Sequence, residues 1–465
     1  MPLLALPVKK RKEGFTANDW YLCTTIAQSL KTKTFRPNKV NIITLGCAKN
    51  LVDSEVLSAQ LRANDIAVSH ESRRSDHEVV IINTCGFIEK AKAESIQTIL
   101  EQVERKKKGK VERVIVTGCL SARYQQELAG EIPEVDAWFG TEPYREVLQL
   151  LQADYKQELI GERLLSTPKH YAYLKISEGC NRTCAFCAIP LMRGKHVSRP
   201  MEEIVLEARK LAEKGVKELI LIAQELTYYG LDLYKKRTLA ALLDKLAEVP
   251  GIEWIRLHYA YPAHFPMDVL DVMQRQSKIC KYLDIPLQHI SDPILQAMHR
   301  QTDRHYIEQL IHSIREKVPD ICLRTTFIVG FPGETHRNVE ELIAFMEQVR
   351  FDRVGVFTYS HEENTRAFVL RDEIPQEEKE RRAELLMDCQ REISYEKNLT
   401  RVGQVMKVMV DRREAGRYVG RTEFDSPEVD NEVIIHTDKK LRPGDLVQVR
   451  IDRAYDYDLE GELVS

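Results

Sequence analysis

Short apolar runs separated by charged stretches dominate residues 39–150. The runs are Val40–Leu45, Glu78–Asn83 and Arg113–Thr117. The stretches between them have a composition compatible with helices, so strands and helices alternate along this part of the chain. Such alternation predicts parallel βαβ units. The carboxyl ends of parallel strands share one edge of the sheet, where ligands bind.

The same alternation returns between residues 170 and 375. Apolar positions from Ile204 to Ala212 follow the 3.6-residue period of a helix, with Pro200 in its first turn and Gly215 as its C-terminal cap. Six βα repeats predict a partial or open barrel whose functional face lies at the carboxyl ends of its strands. The predicted strands are Tyr171–Ile176, Glu218–Ile222, Trp254–His258, Tyr282–Ile285, Arg324–Val329 and Arg353–Phe357.

The last part of the chain changes character. Val447, Val449 and Ile451 alternate with polar residues, and Arg442–Asp445 is a turn sequence, which together predict a small antiparallel β-barrel. The predicted fold class is therefore a multidomain α/β protein. Its predicted parts are a flexible extension (1–38), a parallel α/β domain (39–150), a linker (151–169), a barrel core (170–400) and a small β-barrel (401–465).

Composition narrows the possible functions. The net charge is −3, which excludes a general basic coat for nucleic acid but leaves room for a local basic patch. No apolar run approaches the ~18 residues of a membrane span, so an integral membrane protein is excluded. The N-terminal residues place basic charges after apolar ones, the reverse of a signal peptide. We therefore expect a cytoplasmic protein, in which clustered cysteines bind metal or do chemistry.

The strongest chemical signal among the ten cysteines is a trio just after the first barrel strand. Cys180, Cys184 and Cys187 have the x3 and x2 spacing with which a tight loop holds an iron–sulfur cube. Three ligands leave one of four irons open to a substrate or cofactor, as catalytic zinc sites keep one position open. The alternative is a structural zinc site or redox loop. Zinc would need a fourth ligand, for which His196 is the nearest candidate.

A second trio consists of Cys47, Cys85 and Cys119, each of which ends a predicted strand. Because parallel strand ends share an edge, these residues predict a second cluster with three thiolate ligands. The alternative is three buried thiols that pack as small apolar side chains. The other cysteines in the predicted domains lack cluster spacing and are expected to be inert: Cys280, Cys322 and Cys389.

The first trio, with Phe186 before its last cysteine, resembles the signature of radical S-adenosylmethionine (SAM) enzymes. This resemblance implies that Cys180, Cys184 and Cys187 hold a 4Fe–4S cluster and that SAM chelates its open iron. One-electron reduction would then cleave SAM to a 5′-deoxyadenosyl radical. The implied partner is an electron donor such as flavodoxin or ferredoxin.

Both trios together resemble the methylthiotransferases within that superfamily. Residues 401–465, with Gly420–Thr422 and Pro427–Asp430, resemble their C-terminal TRAM barrel. The resemblance implies a second 4Fe–4S cluster and two SAM molecules. One SAM would methylate a sulfur at the N-terminal cluster, and the other would supply the radical that prepares a substrate carbon for the methylthio group. The segments similar to the N-terminal domain are Leu45–Glu55, Asn83–Ile88 and Thr117–Leu120.

Two branches of the family differ in substrate: one modifies an adenosine in tRNA, and the other the β-carbon of an aspartate in ribosomal protein uS12. The chain is similar to the second branch, although Ala48 stands where that branch usually has Pro. Residues 401–465 hold eleven Lys and Arg against fourteen Asp and Glu, which suits a basic protein better than tRNA, unless the acids merely form a solvated face. The segments similar to the uS12 branch are Gly86–Ile88, Ser177–Cys180 through Ser198–Pro200, Asp284–His289 and Phe327–Glu334.

Further polar and glycine residues near strand ends are candidates for the SAM pocket, or else ordinary strand-end residues. Three histidines in similar positions, His258, His289 and His361, are expected to be structural. The functions left open are a uS12 methylthiotransferase, a tRNA methylthiotransferase and a non-catalytic iron–sulfur or metal-binding module. The SAM-binding candidates are Glu225, Asp284, Gln288, Arg324, Gly330 and Gly333.

Overall fold

The computed structural model describes residues 34–72 and 77–464. It contains a parallel five-stranded sheet, a parallel six-stranded sheet and a closed five-stranded barrel, which confirms the predicted fold class. Residues 1–33 of the predicted extension, with Cys23, lie outside the described residues. The backbone N–H of Phe35 donates to the Leu150 carbonyl at 3.2 Å, and its ring packs against the N-terminal core. The described end of the extension is therefore part of the first domain.

The N-terminal domain is a parallel sheet with helices on both faces. Its strand order is β2-β1-β3-β4-β5, and the central strand β3 is buried along its whole length, as parallel strands covered on both faces are. The short strands β2 and β5 lie at the edges and were not predicted. The elements are β1 (Lys39–Thr44), α1 (Ala48–Arg62), β2 (Ala67–His70), β3 (Val79–Thr84), α2 (Glu89–Lys107), β4 (Arg113–Gly118), α3 (Cys119–Glu131), β5 (Ala137–Trp138) and α4 (Tyr144–Leu150).

The central domain begins after a 3₁₀ turn at Gln157–Leu159. Its elements are β6 (Tyr171–Lys175), β7 (Ser177–Glu178), α5 (Ile189–Arg193), β8 (Val197–Ser198), α6 (Met201–Glu213), β9 (Glu218–Ile222), α7 (Leu239–Ala247), β10 (Trp254–Leu257), α8 (Asp268–Arg275), β11 (Ile279–Asp284), α9 (Asp292–Ala297), α10 (Arg304–Lys317), β12 (Cys322–Val329), α11 (His336–Val349), β13 (Arg353–Thr358) and α12 (Gln376–Leu399).

Six parallel strands form the open barrel in the order β6-β9-β10-β11-β12-β13, and each matches a predicted strand. Two starts were wrong: β11 begins at Ile279, three residues before Tyr282, and β12 begins at Cys322, two residues before Arg324. Helix α6 lies between Pro200, its N-cap, and Gly215, whose φ of +95° suits a glycine after a helix. In the described part of the chain, no helix is long and apolar enough to cross a membrane.

The small barrel is closed in the strand order β14-β15-β16-β18-β17. Its strand pairs are antiparallel except for β16 and β18, which run parallel. Alternate residues such as Val408, Val449 and Ile451 point into its apolar interior. The strands are β14 (Val405–Glu414), β15 (Arg417–Thr422), β16 (Val433–His436), β17 (Leu446–Ala454) and β18 (Leu459–Leu463).

The segment after β15, residues 423–430, docks against the amino ends of the central strands, and we call it the docking loop. Asp425 accepts from Arg353 Nε at 3.1 Å, and Asp430 accepts from Arg324 Nε at 3.3 Å. Tyr171 donates its hydroxyl to Glu428 at 2.9 Å. The small barrel therefore covers the end of the central barrel opposite the face on which parallel strands carry their ligands.

Candidate functional site

The second cysteine trio lies at one edge of the N-terminal sheet, because its three strands are neighbours. Cys47 is the N-cap of α1, Cys85 follows β3, and Cys119 opens α3. A Cβ atom on Gly46 would lie 2.8 Å from Cys85 Sγ, so this glycine, with φ +92°, lets the first two loops approach closely. Burial raises the pKa of Cys119 to about 12 against the opposing charge of Arg193, and the other two cysteines add to the shift.

The first trio occupies the loop between β7 and α5. Cys180 Sγ accepts the backbone N–H of Arg182 at 3.4 Å, and Cys184 Sγ accepts from Arg300 Nη1 at 3.4 Å. Burial raises the pKa of Cys180 to about 11, and burial together with its two neighbours raises the pKa of Cys187 further. The charge of each thiol in this loop therefore affects its neighbours, which supports the placement of the three cysteines close together.

The chemistry of both trios fits iron–sulfur clusters. All six cysteines are free of disulfides. Thiols with raised pKa values stay protonated near neutral pH unless a metal binds and displaces the proton. Arginine N–H groups already point at Cys119 Sγ (from Arg193 Nε, 3.3 Å) and at Cys184 Sγ (from Arg300), as hydrogen bonds to cluster sulfurs do.

The zinc alternative requires His196 to join the first trio. The imidazole Nε2 instead lies 3.1 Å from Ser198 Oγ, and the backbone N–H of His196 binds the Asn181 side chain. Burial lowers the pKa of His196. The contacts of His196 thus hold the returning strand β8, and they offer no support for its role as a fourth metal ligand.

A buried ionic cluster joins the N-terminal domain to the central barrel beside both trios. Arg193 Nη1 lies 2.9 Å from Asp53 and 3.0 Å from Glu178. Lys175 pairs with the same two carboxylates and with Glu142 at 2.6 Å. Burial would raise the pKa of Asp53, but the two cations hold it below its ordinary value. These ion pairs fix the position of α1 relative to the loop of the first trio.

Apolar packing brings the two trios into the same region. Cys119 forms one small cluster with Ala188 and Met192, which lie one and five residues after Cys187 in the chain. Helix α3, which begins at Cys119, packs against α5. The residues that follow the first trio are thus in contact with a cysteine of the second.

Two of the SAM-binding candidates have features that suit a ligand site. Glu225 lies at the first trio, because Arg182 Nη2 is 3.1 Å from its carboxylate. Gln288 has φ +76°, and its buried Oε1 atom has no hydrogen-bond partner. A strained backbone and an unpaired buried oxygen are both costly, and such costs concentrate at ligand sites.

The remaining polar candidates are engaged elsewhere. Arg324 Nη1 donates to Asp284 at 3.0 Å, and Arg324 also binds Asp430 in the docking loop. The structure therefore pairs these two candidates with each other and with the small barrel, and does not bring Arg324 to the cysteine loop.

The two glycine candidates differ from each other. A Cβ on Gly330 would lie 2.3 Å from Cγ of Lys379, so α12 fills the space beside it. At Gly333 a Cβ would meet no atom within 4 Å. The close approach at Gly330 thus serves the packing of α12, and the space beside Gly333 is open to a ligand.

The three histidines near strand ends have protein partners. His258 Nε2 lies 2.9 Å from Ser426 Oγ, and His361 Nδ1 lies 3.2 Å from the Tyr359 hydroxyl. His289 Nδ1 accepts backbone N–H groups of the two residues that follow it. Each therefore has a structural role, as expected.

Sequence reasoning missed several residues at this site. Arg193 and Arg300 donate to cysteine sulfurs from distant positions in the chain. Lys49, two residues after Cys47, is buried with its Nζ atom 3.3 Å from the centroid of the Tyr259 ring. A lysine two residues from a predicted metal ligand was the one signal available.

Comparisons with known proteins agree with this three-part architecture. Residues 39–140 match the family described as uncharacterized protein family UPF0004, residues 174–346 the radical SAM superfamily, and residues 402–464 the TRAM domain. The chain is 57% identical over 435 residues to ribosomal protein uS12 methylthiotransferase RimO of Flavobacterium johnsoniae, across 93% of this chain and 100% of that protein. The chain belongs to the RimO family. The predicted resemblance to methylthiotransferases of the uS12 branch is thereby confirmed.

Another RimO, from Bacteroides thetaiotaomicron, is 53% identical over 429 residues and covers 92% of this chain and 98% of that protein. Among solved structures, the radical SAM methyltransferase TsrM from Kitasatospora setae superposes with a TM-score of 0.52. That match covers 69% of this chain and 72% of the other at 13% identity, so it supports the fold alone. The RimO relatives instead match the whole length from the first domain to the small barrel.

Proposed function

We propose that this chain is a methylthiotransferase that modifies the β-carbon of an aspartate in ribosomal protein uS12. The observation that carries the proposal is the identity of 51–57% with uS12 methylthiotransferases over more than nine-tenths of the chain. The pairing of two cysteine trios across one packed interface supports it independently of the relatives' names. Action on a ribosomal protein would place the enzyme in the cytoplasm.

We assign one 4Fe–4S cluster to Cys180, Cys184 and Cys187 and a second to the trio of Cys47, Cys85 and Cys119. The first cluster with SAM would supply a radical able to remove hydrogen from an unactivated C–H bond, and the second would hold the sulfur to be transferred. A one-electron donor of the flavodoxin or ferredoxin type is needed to start this chemistry. The cofactors thus carry the difficult steps, and the protein provides position and charge.

The protein's own contribution is to hold the two cluster loops against each other. Arg193 ties α5 to Cys119, and the ion pairs of Asp53 and Lys175 fix α1 above β6. Glu225 and Gln288 are the SAM-binding candidates that the proposal retains, with the amino group of SAM as the expected donor to the Glu225 carboxylate. Apolar contacts around Cys119, from Ala188 and Met192, limit the access of water to the sulfur.

The proposal is tested with anaerobically reconstituted full-length protein, purified uS12, SAM and dithionite. We expect methylthiolated uS12 and 5′-deoxyadenosine. Cys47→Ala should still cleave SAM but form no methylthio product, whereas Cys180→Ala should do neither. Cys389→Ala, outside both trios, is the matched control and should behave as the unaltered protein. Full product formation by Cys47→Ala would remove the second cluster from the mechanism.

The same-family rival acts on tRNA adenosine. Residues 401–465 hold no excess of cations, whereas a tRNA-binding barrel needs such an excess for phosphate, and this argues against the rival. Offering tRNA and uS12 in parallel assays decides between them: product on tRNA alone would contradict the proposal. A non-catalytic binding module is excluded if 5′-deoxyadenosine forms.

A further inference from the structure

A buried lysine beside the second trio has no anionic partner among the described residues. Lys49 is the second residue of α1, and only 8% of its surface is exposed. Its one close ionic or aromatic contact in the described residues is the face of Tyr259, 3.3 Å from Nζ to the ring centroid. An ammonium removed from water is costly, and a cation–π contact offsets only part of this cost. The site therefore lacks a negative partner.

Every other buried lysine and arginine of the described chain has a negative partner. Arg300, the single one without a carboxylate, donates to the sulfur of Cys184, which is anionic when it binds metal. The remaining eight each pair with at least one carboxylate: Arg163, Lys175, Arg182, Arg193, Arg256, Lys379, Arg382 and Arg421. Lys49 is thus an exception within a molecule that otherwise neutralises its buried cations.

The surroundings of Lys49 connect it to both trios. Lys49 follows Cys47 by two residues, and its partner Tyr259 follows strand β10 of the central barrel. The Tyr259 carbonyl accepts the backbone N–H of Leu226 at 3.2 Å. The preceding residue, Glu225, pairs with Arg182 in the loop of the first trio. Contacts and neighbouring chain positions therefore link one trio through the lysine to the other.

Tyr259 is held in an unfavourable backbone conformation to meet the lysine. Its φ is +64°, in the left-handed region that a bulky residue rarely adopts. Its backbone N–H donates to the Asp284 carboxylate at 3.0 Å, so both backbone polar groups of this strained residue are hydrogen-bonded. Strain maintained by such hydrogen bonds is typical of functional positions.

We propose that the Lys49 ammonium binds the carboxylate of the aspartate that the enzyme modifies. This inference rests on the proposed function, which supplies a substrate with such a group. The carboxylate carbon of aspartate is bonded directly to the β-carbon. A carboxylate held at Lys49 therefore also fixes the position of the reacting carbon. Positioning of this kind makes a large contribution to rate when two reacting groups must meet.

A different role for Lys49 would be to neutralise the negative charge of the cluster at Cys47. The two roles make opposite predictions. A lysine that binds substrate should be coupled to the substrate's carboxylate and leave the cluster's spectrum unaltered. A lysine that neutralises the cluster should change its spectrum and affect all substrates equally.

The test is a double-mutant cycle on reconstituted enzyme. uS12 with its target aspartate, and uS12 with asparagine at that position, are each offered to the unaltered enzyme and to Lys49→Met. Loss of a hydrogen bond to a charged group corresponds to roughly 10- to 100-fold. We expect the unaltered enzyme to prefer aspartate by about this factor in kcat/KM, and Lys49→Met to lose most of that preference.

The control is Lys90→Met. Lys90 is also the second residue of a helix that follows a trio cysteine, but it is exposed. It should keep the full preference for aspartate. Iron and sulfide content and the electron paramagnetic resonance spectrum are recorded for each variant, and Lys49→Gln replaces Lys49→Met if the latter loads fewer clusters.

The outcomes distinguish a wrong assignment of Lys49 from a failure of the proposed function. If the unaltered enzyme modifies uS12 and the lysine variant keeps the same preference for aspartate, the assignment of Lys49 is wrong. A changed spectrum with an equal loss on both substrates would also overturn it, in favour of cluster neutralisation. If the unaltered, fully loaded enzyme modifies neither protein, the proposed function fails and the assignment falls with it.

Discussion

Arg193 donates its Nε–H to Cys119 Sγ over 3.3 Å, although the two residues belong to different domains. The same guanidinium lies 2.9 Å from Asp53 and 3.0 Å from Glu178. Its side chain is 2% exposed, so water cannot replace these partners. A single residue thus joins the helix after one cysteine trio to a sulfur of the other.

We expect Arg193→Met to lower the free energy of unfolding by about 3 kcal/mol, because a buried ion pair is broken and Lys175 remains as the cation that faces Asp53. Chemical denaturation at pH 7 measures the loss. Arg209→Met on α6, where the arginine is exposed, is the control and should stay within about 0.5 kcal/mol. Equal stability of the two variants would show that Arg193 does not hold the domains together.

A pH-dependent contribution comes from Glu218, which pairs with Arg256 and Arg421 beneath the small barrel. Burial would raise its pKa, but the two guanidinium groups outweigh burial and hold the pKa below the ordinary value of 4.5. A lowered pKa means stability that is present above pH 4.5 and lost as the pH falls through the lower folded value.

We therefore expect the thermal midpoint to fall on acidification below about pH 4.5. Glu218→Gln should remove this part of the dependence and cost about 3–5 kcal/mol at pH 7, where buried Arg256 loses its carboxylate and Arg421 keeps only Asp411. Scans of both proteins from pH 3 to pH 7 give the comparison. Parallel curves for the two would contradict the assignment.

The two loop glycines should respond differently to alanine. Gly330→Ala adds a Cβ that meets Lys379 at 2.3 Å, in addition to strain at φ +76°. Gly333→Ala meets no atom and bears only the strain of φ +85°, about 1–2 kcal/mol. We expect the first variant to unfold at a clearly lower denaturant concentration than the second. SAM affinity, measured by equilibrium dialysis, should fall only for Gly333→Ala if a ligand uses the open space.

Gln288 offers a prediction with opposite signs for stability and binding. Gln288→Gly relieves a left-handed conformation and should raise the free energy of unfolding without SAM by about 1 kcal/mol. Losing the unpaired Oε1 should weaken SAM binding about tenfold if that atom accepts from the ligand. Glu71→Gly, at φ +51° and exposed, is the control for strain alone. Unchanged SAM affinity would remove Gln288 from the pocket.

The predictable parts of the molecule were those with a local pattern. Strand β9 was predicted residue for residue, because the continuous apolar run Leu219–Ile222 is typical of a strand covered on both faces, and all five residues of β9 are buried. Strand β5, with two residues, is too short to carry any pattern. The Arg193–Cys119 and Arg324–Asp430 contacts join positions 74 and 106 residues apart, so no local sequence pattern predicts them.

The charge that residues 401–465 present to a partner also depends on contacts that are distant in the sequence. Residues 401–465 are acidic, and this predicted a face suited to a basic partner. In the structure, Asp411, Asp425 and Asp430 all face arginines of the interface with the central barrel or of the small barrel itself. The charge that a partner would meet is therefore less negative than composition indicates, because Asp425 and Asp430 are neutralised by arginines of the central barrel.

The docking loop also constrains how such proteins are recombined. Arg256, Arg324 and Arg353 each contact it, through a backbone carbonyl or a carboxylate. A chimera that received its last module from a relative would function only if that module brought matching acceptors at the same three places. Deleting the module would leave these arginines of the central barrel without their acceptors in the docking loop. Inactivity of a truncated chain would therefore say little about what the module recognises.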